Sequence, residues 1–118
     1  MAQLRKRSAQ GIVSVGGMKF RWAVHREPQW CTADGWKGLA ISVRLEDGSG
    51  RELILEYPYP QKGRKLRIDG KTYLVAPNPP VRPSISKKMI EAGIGQAIEA
   101  GWNPMSRGKA FAIQATEP

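Results

Sequence analysis

The sequence predicts an α+β domain: a curved antiparallel β-meander of about six strands, one C-terminal amphipathic helix packed on a face, and a short closing strand. Three observations predict it. Apolar residues alternate with polar ones through much of the first half, as a half-buried strand requires. Glycine-containing pairs and quartets, Gly16-Gly17, Asp47-Gly48-Ser49-Gly50 and Asp69-Gly70, punctuate that alternation as hairpin turns do. Helical spacing of apolar residues is clear in one segment, at Ile90, Ile94, Ala97 and Ile98.

The elements follow in order. Gly11 to Val15 is a short apolar run, and Gly16-Gly17 supplies the positive φ angles of a tight turn. Met18 to Arg26 then alternates, with Phe20, Trp22 and Val24 on one face and Lys19, Arg21 and His25 on the other. Leu39, Ile41, Val43 and Leu45 share the next inward face, and Arg51 to Tyr57 returns antiparallel with Leu53 and Leu55 inward. Pro58-Tyr59-Pro60 and Gly63 break the ladder, because proline has no N–H to donate. Lys65 to Ile68 and Lys71 to Ala76 form a second hairpin about Asp69-Gly70.

A Pro-rich connector, 77–83, leads into the helix, expected over 84–101 with Ser84 or Ser86 as its cap. Gly101 suits the left-handed residue that ends a helix, and Pro104 prevents continuation. Gly93 and Gly95 contradict the helix locally, each costing about 1 kcal/mol relative to alanine. Close packing against the sheet, Trp22 or Trp102 is the expected reason. Lys109 to Gln114 closes the chain. The whole reads as one domain, 1–118, with 1–10 a flexible basic tail.

The helix ending in Ala100-Gly101-Trp102, followed by Asn103-Pro104, Ser106-Arg107-Gly108 and Lys109-Ala110-Phe111-Ala112-Ile113, resembles the C-terminal end of a group of small uncharacterised bacterial proteins. The resemblance covers the last quarter of the chain. It implies a fold element, with Trp102 anchoring the helix end and Phe111 entering a sheet edge, and no activity.

Charge bounds the partners. The net charge is +9 over 118 residues, and the pI is near 10.1. Arg5, Lys6, Arg7, Lys19, Arg21 and Arg26 precede the first acid, Glu27. Lys62, Arg64, Lys65, Arg67, Lys71, Arg82, Lys87 and Lys88 surround the single acid Asp69. Between the two basic stretches lies an acidic middle. Such a field attracts polyanions before any specific contact forms. No apolar run is long enough for a membrane span or a secretory signal, and the lone Cys31 forms no internal bridge, so a soluble cytoplasmic protein is expected.

Catalytic constellations are sparse. Cys31, His25 and Asp34 or Asp47 are the ingredients of a nucleophile, base and orienter, yet sequence proximity sets no geometry. One histidine and one cysteine do not make a zinc site, and no metal or cofactor is expected. The glycine loops join strand to strand rather than strand to helix, so no phosphate-cradling loop is present. Glu46-Asp47 and Glu52 with Glu56 read as the solvated face of a hairpin, balanced by Arg44 and Arg51. Lys87 and Lys88 oppose the dipole of a helix start, where a bound anion would relieve them.

The expected function is therefore binding without catalysis. Lys62, Arg64, Lys65, Arg67 and Lys71, with Tyr59 and Tyr73, form a basic and aromatic hairpin surface that Lys19 and Arg21 join if the sheet curls. Lysine and arginine track phosphates while aromatic rings stack on unpaired bases, which suits nucleic acid or another polyanion. The alternative is a protein-interaction module using Trp30 and Trp36 in their Gly-containing loop, or a sheet edge that pairs with a second copy.

Overall fold

The computed structural model describes residues 5–31, 35–58, 64–75 and 82–116. Tyr59, Lys62, Asp34, Ala76 and most of the connector 77–83 lie outside the described residues. The fold is α+β, rich in antiparallel pairing. The strands are β1 (Gln10–Val15), β2 (Met18–Arg26), β3 (Gln29–Cys31), β4 (Gly35–Lys37), β5 (Leu39–Leu45), β6 (Leu53–Tyr57), β7 (Arg64–Ile68), β8 (Lys71–Val75) and β9 (Phe111–Gln114). The helix α1 spans Lys87–Glu99. A five-stranded sheet runs in the order β1-β2-β5-β6-β9, while β3–β4 and β7–β8 are separate two-stranded ribbons.

One departure from the expected meander and one pairing that it left open follow. Among the described residues β7 and β8 pair only with each other, so the second hairpin leaves the main sheet. The closing strand is β9, which pairs parallel with β6, Leu53 beside Phe111 and Leu55 beside Ile113. A parallel neighbour needs a long crossover, and here α1 supplies it.

Alternation builds the core. Phe20, Val24, Leu39, Ile41, Val43, Leu53, Leu55 and Tyr57 face inward from β2, β5 and β6, joined by Val13 of β1. The turn at Gly16-Gly17 has φ of 59° and 81°, as a tight hairpin requires. The register slips between Val24 and Arg26, which pair with the consecutive residues Ile41 and Ala40. His25 is the extra residue of this bulge. Strict alternation would have aimed Arg26 into the core. The bulge instead sets it opposite Ala40, where its guanidinium donates to the Gly38 carbonyl and lies 3.4 Å from Glu56.

The helix begins at the Ser86 cap, whose hydroxyl accepts from the Met89 N–H at 3.1 Å. It buries Met89, Ile90, Gly93, Ile94 and Ala97, whereas Ile98, expected inward, is exposed. Its end is a Schellman turn: Trp102 N–H donates to the Ala97 carbonyl and Gly101 N–H to that of Ile98, with Gly101 at φ 109°. The side-chain amide of Gln96 exchanges two hydrogen bonds with the Thr116 backbone, at 2.8 and 2.9 Å, tying the chain after β9 to the helix.

Gly93 is explained by close approach to β6 rather than to a tryptophan. A Cβ there would stand 2.7 Å from both Leu55 Cδ1 and Tyr57 Oη. Nothing lies within 4 Å of a Cβ at Gly95, and nothing in the structure explains that glycine. Opposite outcomes are therefore expected for two identical substitutions. Gly95→Ala should stabilise by up to about 1 kcal/mol through helix propensity. Gly93→Ala should destabilise, because overpacking costs about 1–3 kcal/mol and outweighs the same gain. Urea unfolding of the two variants distinguishes them, and equal shifts would refute the packing account.

Candidate functional site

The β7–β8 ribbon turns on Asp69 and Gly70, at φ 50° and 77°, the left-handed pair of a two-residue hairpin. Its register places Leu66 opposite Tyr73, Ile68 opposite Lys71, and Arg67 opposite Thr72. Directly opposed residues share a face, so the ribbon has two unlike sides. Leu66, Ile68 and Tyr73 lie on one, with Lys71 at its turn end. Lys65 and Arg67 lie on the other with Thr72. Residues 65–73 are all exposed, and Leu66, Ile68 and Tyr73 keep 46%, 50% and 48% of their surface in solvent. Sequence reading singled out the cations and Tyr73 but missed Leu66 and Ile68, because their alternation is that of a strand facing a core.

Lys19 and Arg21 stand on the solvent face of the five-stranded sheet, not on the ribbon. Arg21 is opposite Arg44 across β2 and β5, beside a shallow groove of about 330 Å³ that Ser42 and Glu46 also line. Like charges directly opposed repel, and Glu52 offsets Arg44 at 3.8 Å while accepting the Ser42 hydroxyl. Arg51, expected to balance these acids, instead donates to the Lys109 carbonyl at 2.7 Å and covers the Phe111 ring.

The tryptophan loop is the β3–β4 hairpin, in which Trp30 pairs with Trp36. The rings meet edge to face, with centroids 5.5 Å apart, and Trp30 is buried. Trp30 therefore packs inward rather than presenting a ring to a partner. His25 is exposed on its bulge, and Cys31 ends β3 opposite Gly35. Among the described residues no three His, Cys, Asp or Glu side chains are grouped to hold a metal ion. Among those same residues no helix is long and apolar enough to cross a membrane.

Among the described residues Glu27 is the buried charge, 3% exposed, that sequence reading did not single out. Arg7 grips it with two side-chain bonds, Nε to Oε2 at 2.6 Å and a terminal nitrogen to Oε1 at 2.8 Å, and adds its own backbone N–H at 3.2 Å. Arg82 approaches at 3.8 Å and donates to the Arg5 carbonyl, while Arg7 also donates to that of Pro83. Arg7 falls within the stretch expected as a tail. Burial alone would raise the Glu27 pKa, but the hydrogen bonds and charge of Arg7, helped by Arg82, hold it below 4.5. Asp47 is also lowered, by the hydroxyl and backbone N–H of Ser49. Neither carboxylate is poised to carry a proton near neutral pH.

No family model, curated protein or solved structure matches the chain.

Proposed function

We propose that the protein is a non-catalytic basic binding module of the cytoplasm, taking nucleic acid or another polyanion, with the β7–β8 ribbon as its main contact. The observation that carries this reading is the exposure of Lys65, Arg67 and Lys71 on a ribbon whose only acid is Asp69. Cations held on a regular strand keep a fixed spacing, and a solvent-exposed strand presents them to phosphates at little cost of desolvation. The outward row of Lys19 and Arg21, with Arg44 beside it, adds to the attractive field. The protein-interaction alternative is less favoured through the tryptophan loop, since Trp30 is buried.

The triple variant Lys65→Gln, Arg67→Gln, Lys71→Gln is expected to weaken binding to labelled DNA and RNA. It should also flatten the dependence of log affinity on log salt by about 2–3 units, at roughly 0.7–0.9 per phosphate contact. These side chains are exposed, so folding stability should stay within about 0.5 kcal/mol of the parent. Fluorescence anisotropy across a salt series reads both quantities. An unchanged affinity and slope would remove the ribbon from the interface.

A further inference from the structure

We infer that the ribbon is built for single-stranded nucleic acid: its Leu66, Ile68 and Tyr73 face takes unpaired bases, while Lys65 and Arg67 take phosphates around the outer edge of β7. The inference rests on the polyanion reading and narrows it to one class of ligand.

The apolar face is the starting observation. A two-stranded ribbon alone is marginally stable in water, and three or more strands or a packed face are usually needed. Three large apolar side chains, each about half exposed on one side of this ribbon, form a surface fit to be covered. Charge selects the cover. A second copy laid on this face would bring Lys71 of each into the contact, with Lys65 and Arg67 of each on the far side of the same strands and only Asp69 from each ribbon to oppose them. A polyanion gains from the same charges that repel another copy.

The division between the faces then selects among polyanions. Heparin-like chains have charge but no planar apolar groups to set on Tyr73 and its neighbours. Duplex DNA carries phosphates on its outer rims and stacks its base faces on one another, leaving only base edges in the grooves. A single strand has bases to one side and phosphates to the other, the same division the ribbon makes. Among the described residues β7 pairs only with β8, and no other described strand lies on its outer edge. A strand astride that edge sets bases over Leu66, Ile68 and Tyr73, with its backbone beside Lys65 and Arg67. Alternate residues on β7 repeat every ~6.7 Å, a step comparable to that between phosphates of an extended chain. Stacking on an aromatic ring is tolerant of base identity, so little sequence preference is expected.

The test compares labelled oligothymidine, a duplex of the same length, heparin and polyglutamate on the full chain by anisotropy, with three variants of the apolar face and the triple cation variant. Oligothymidine should bind at least tenfold more tightly than the duplex at equal salt. Tyr73→Ala should weaken oligothymidine binding about tenfold while leaving heparin binding unchanged, and Tyr73→Phe should retain the parent affinity. Leu66→Ser provides a second probe of the same face, with the same selective loss expected. Equal affinity for duplex and oligothymidine, with the triple cation variant defective on both, would overturn this inference and leave the polyanion reading standing. No binding to any nucleic acid or heparin would overturn both. Polyglutamate binding that depends on Leu66 and Tyr73, or sedimentation as a dimer that Leu66→Ser dissolves, would assign the face to an acidic protein or to a second copy instead.

Discussion

Replacing Trp102 with alanine is expected to lower the free energy of unfolding by about 3–5 kcal/mol, the usual cost of deleting a fully buried aromatic ring. Three roles converge on this side chain. It is 2% exposed, it lies against Phe20 with ring centroids 5.7 Å apart, and its indole N–H donates to the Arg51 carbonyl at 3.2 Å. Its backbone N–H also closes the Schellman turn on Ala97, so the ring is fixed where the helix ends. Trp102→Phe keeps most of the packing and loses the hydrogen bond, so a smaller loss is expected, with about 1 kcal/mol from that bond. Urea unfolding followed by far-UV circular dichroism measures both. A loss below about 1 kcal/mol for Trp102→Ala would show that the helix end is not anchored by this ring.

Glu27→Ala is expected to cost about 3 kcal/mol near neutral pH. Removing one partner of a buried ion pair typically costs 3–5 kcal/mol, and the lower end applies because the Arg7 side chain remains 19% exposed. The pH dependence has a definite sign. The folded-state pKa of Glu27 lies below its ordinary value of 4.5, so the ionised carboxylate favours the folded state. That contribution is complete above 4.5 and is lost as the pH falls through the lower, folded-state value. The gap between parent and Glu27→Ala should therefore be constant from pH 7 down to about 5 and narrow below that. Thermal unfolding across this range tests it, and a gap that widened on acidification would contradict the assignment of Arg7 as the dominant stabilising partner.

Much of the sheet was legible because its cause is local. Phe20, Val24, Ile41, Val43, Leu53 and Leu55 alternate with polar residues, and the pleat converts that alternation directly into a buried face. The helix was legible for the same reason, through Ile90, Ile94 and Ala97 and the stop at Gly101 and Pro104. What was not legible depends on residues distant in the chain. The pairing of β9 with β6 depends on where the helix crossover sets the chain down, and no property of Phe111 to Gln114 alone distinguishes parallel from antiparallel pairing. Arg7 and Glu27 are twenty residues apart, and their contact follows only once β1 and β2 are paired.

The ribbon is the instructive case for the candidate site. Lys65 to Ile68 has the same period as Leu39 to Leu45, and period alone says that a strand has two faces, not that one of them meets a core. Pro58-Tyr59-Pro60 and Gly63 marked a break in the ladder, and after it the ribbon pairs with no other described strand. The basic residues of the site could be identified from composition. The apolar half of it became visible only when the strand proved to be uncovered.

The crossover from β6 to β9 has a consequence for the order of assembly. Leu53 and its parallel neighbour Phe111 are 58 positions apart, whereas β1 with β2 and β5 with β6 meet across short turns. Chain closure entropy rises with the logarithm of loop length, so early contacts favour the local hairpins and the last strand zips up late. The same logarithm makes the intervening segment inexpensive to lengthen or shorten. The β7–β8 ribbon lies wholly within that segment, so it is expected to behave as an insertion: a shorter linker from Pro58 to Arg82 should leave a refoldable sheet and helix, stripped of their appendage.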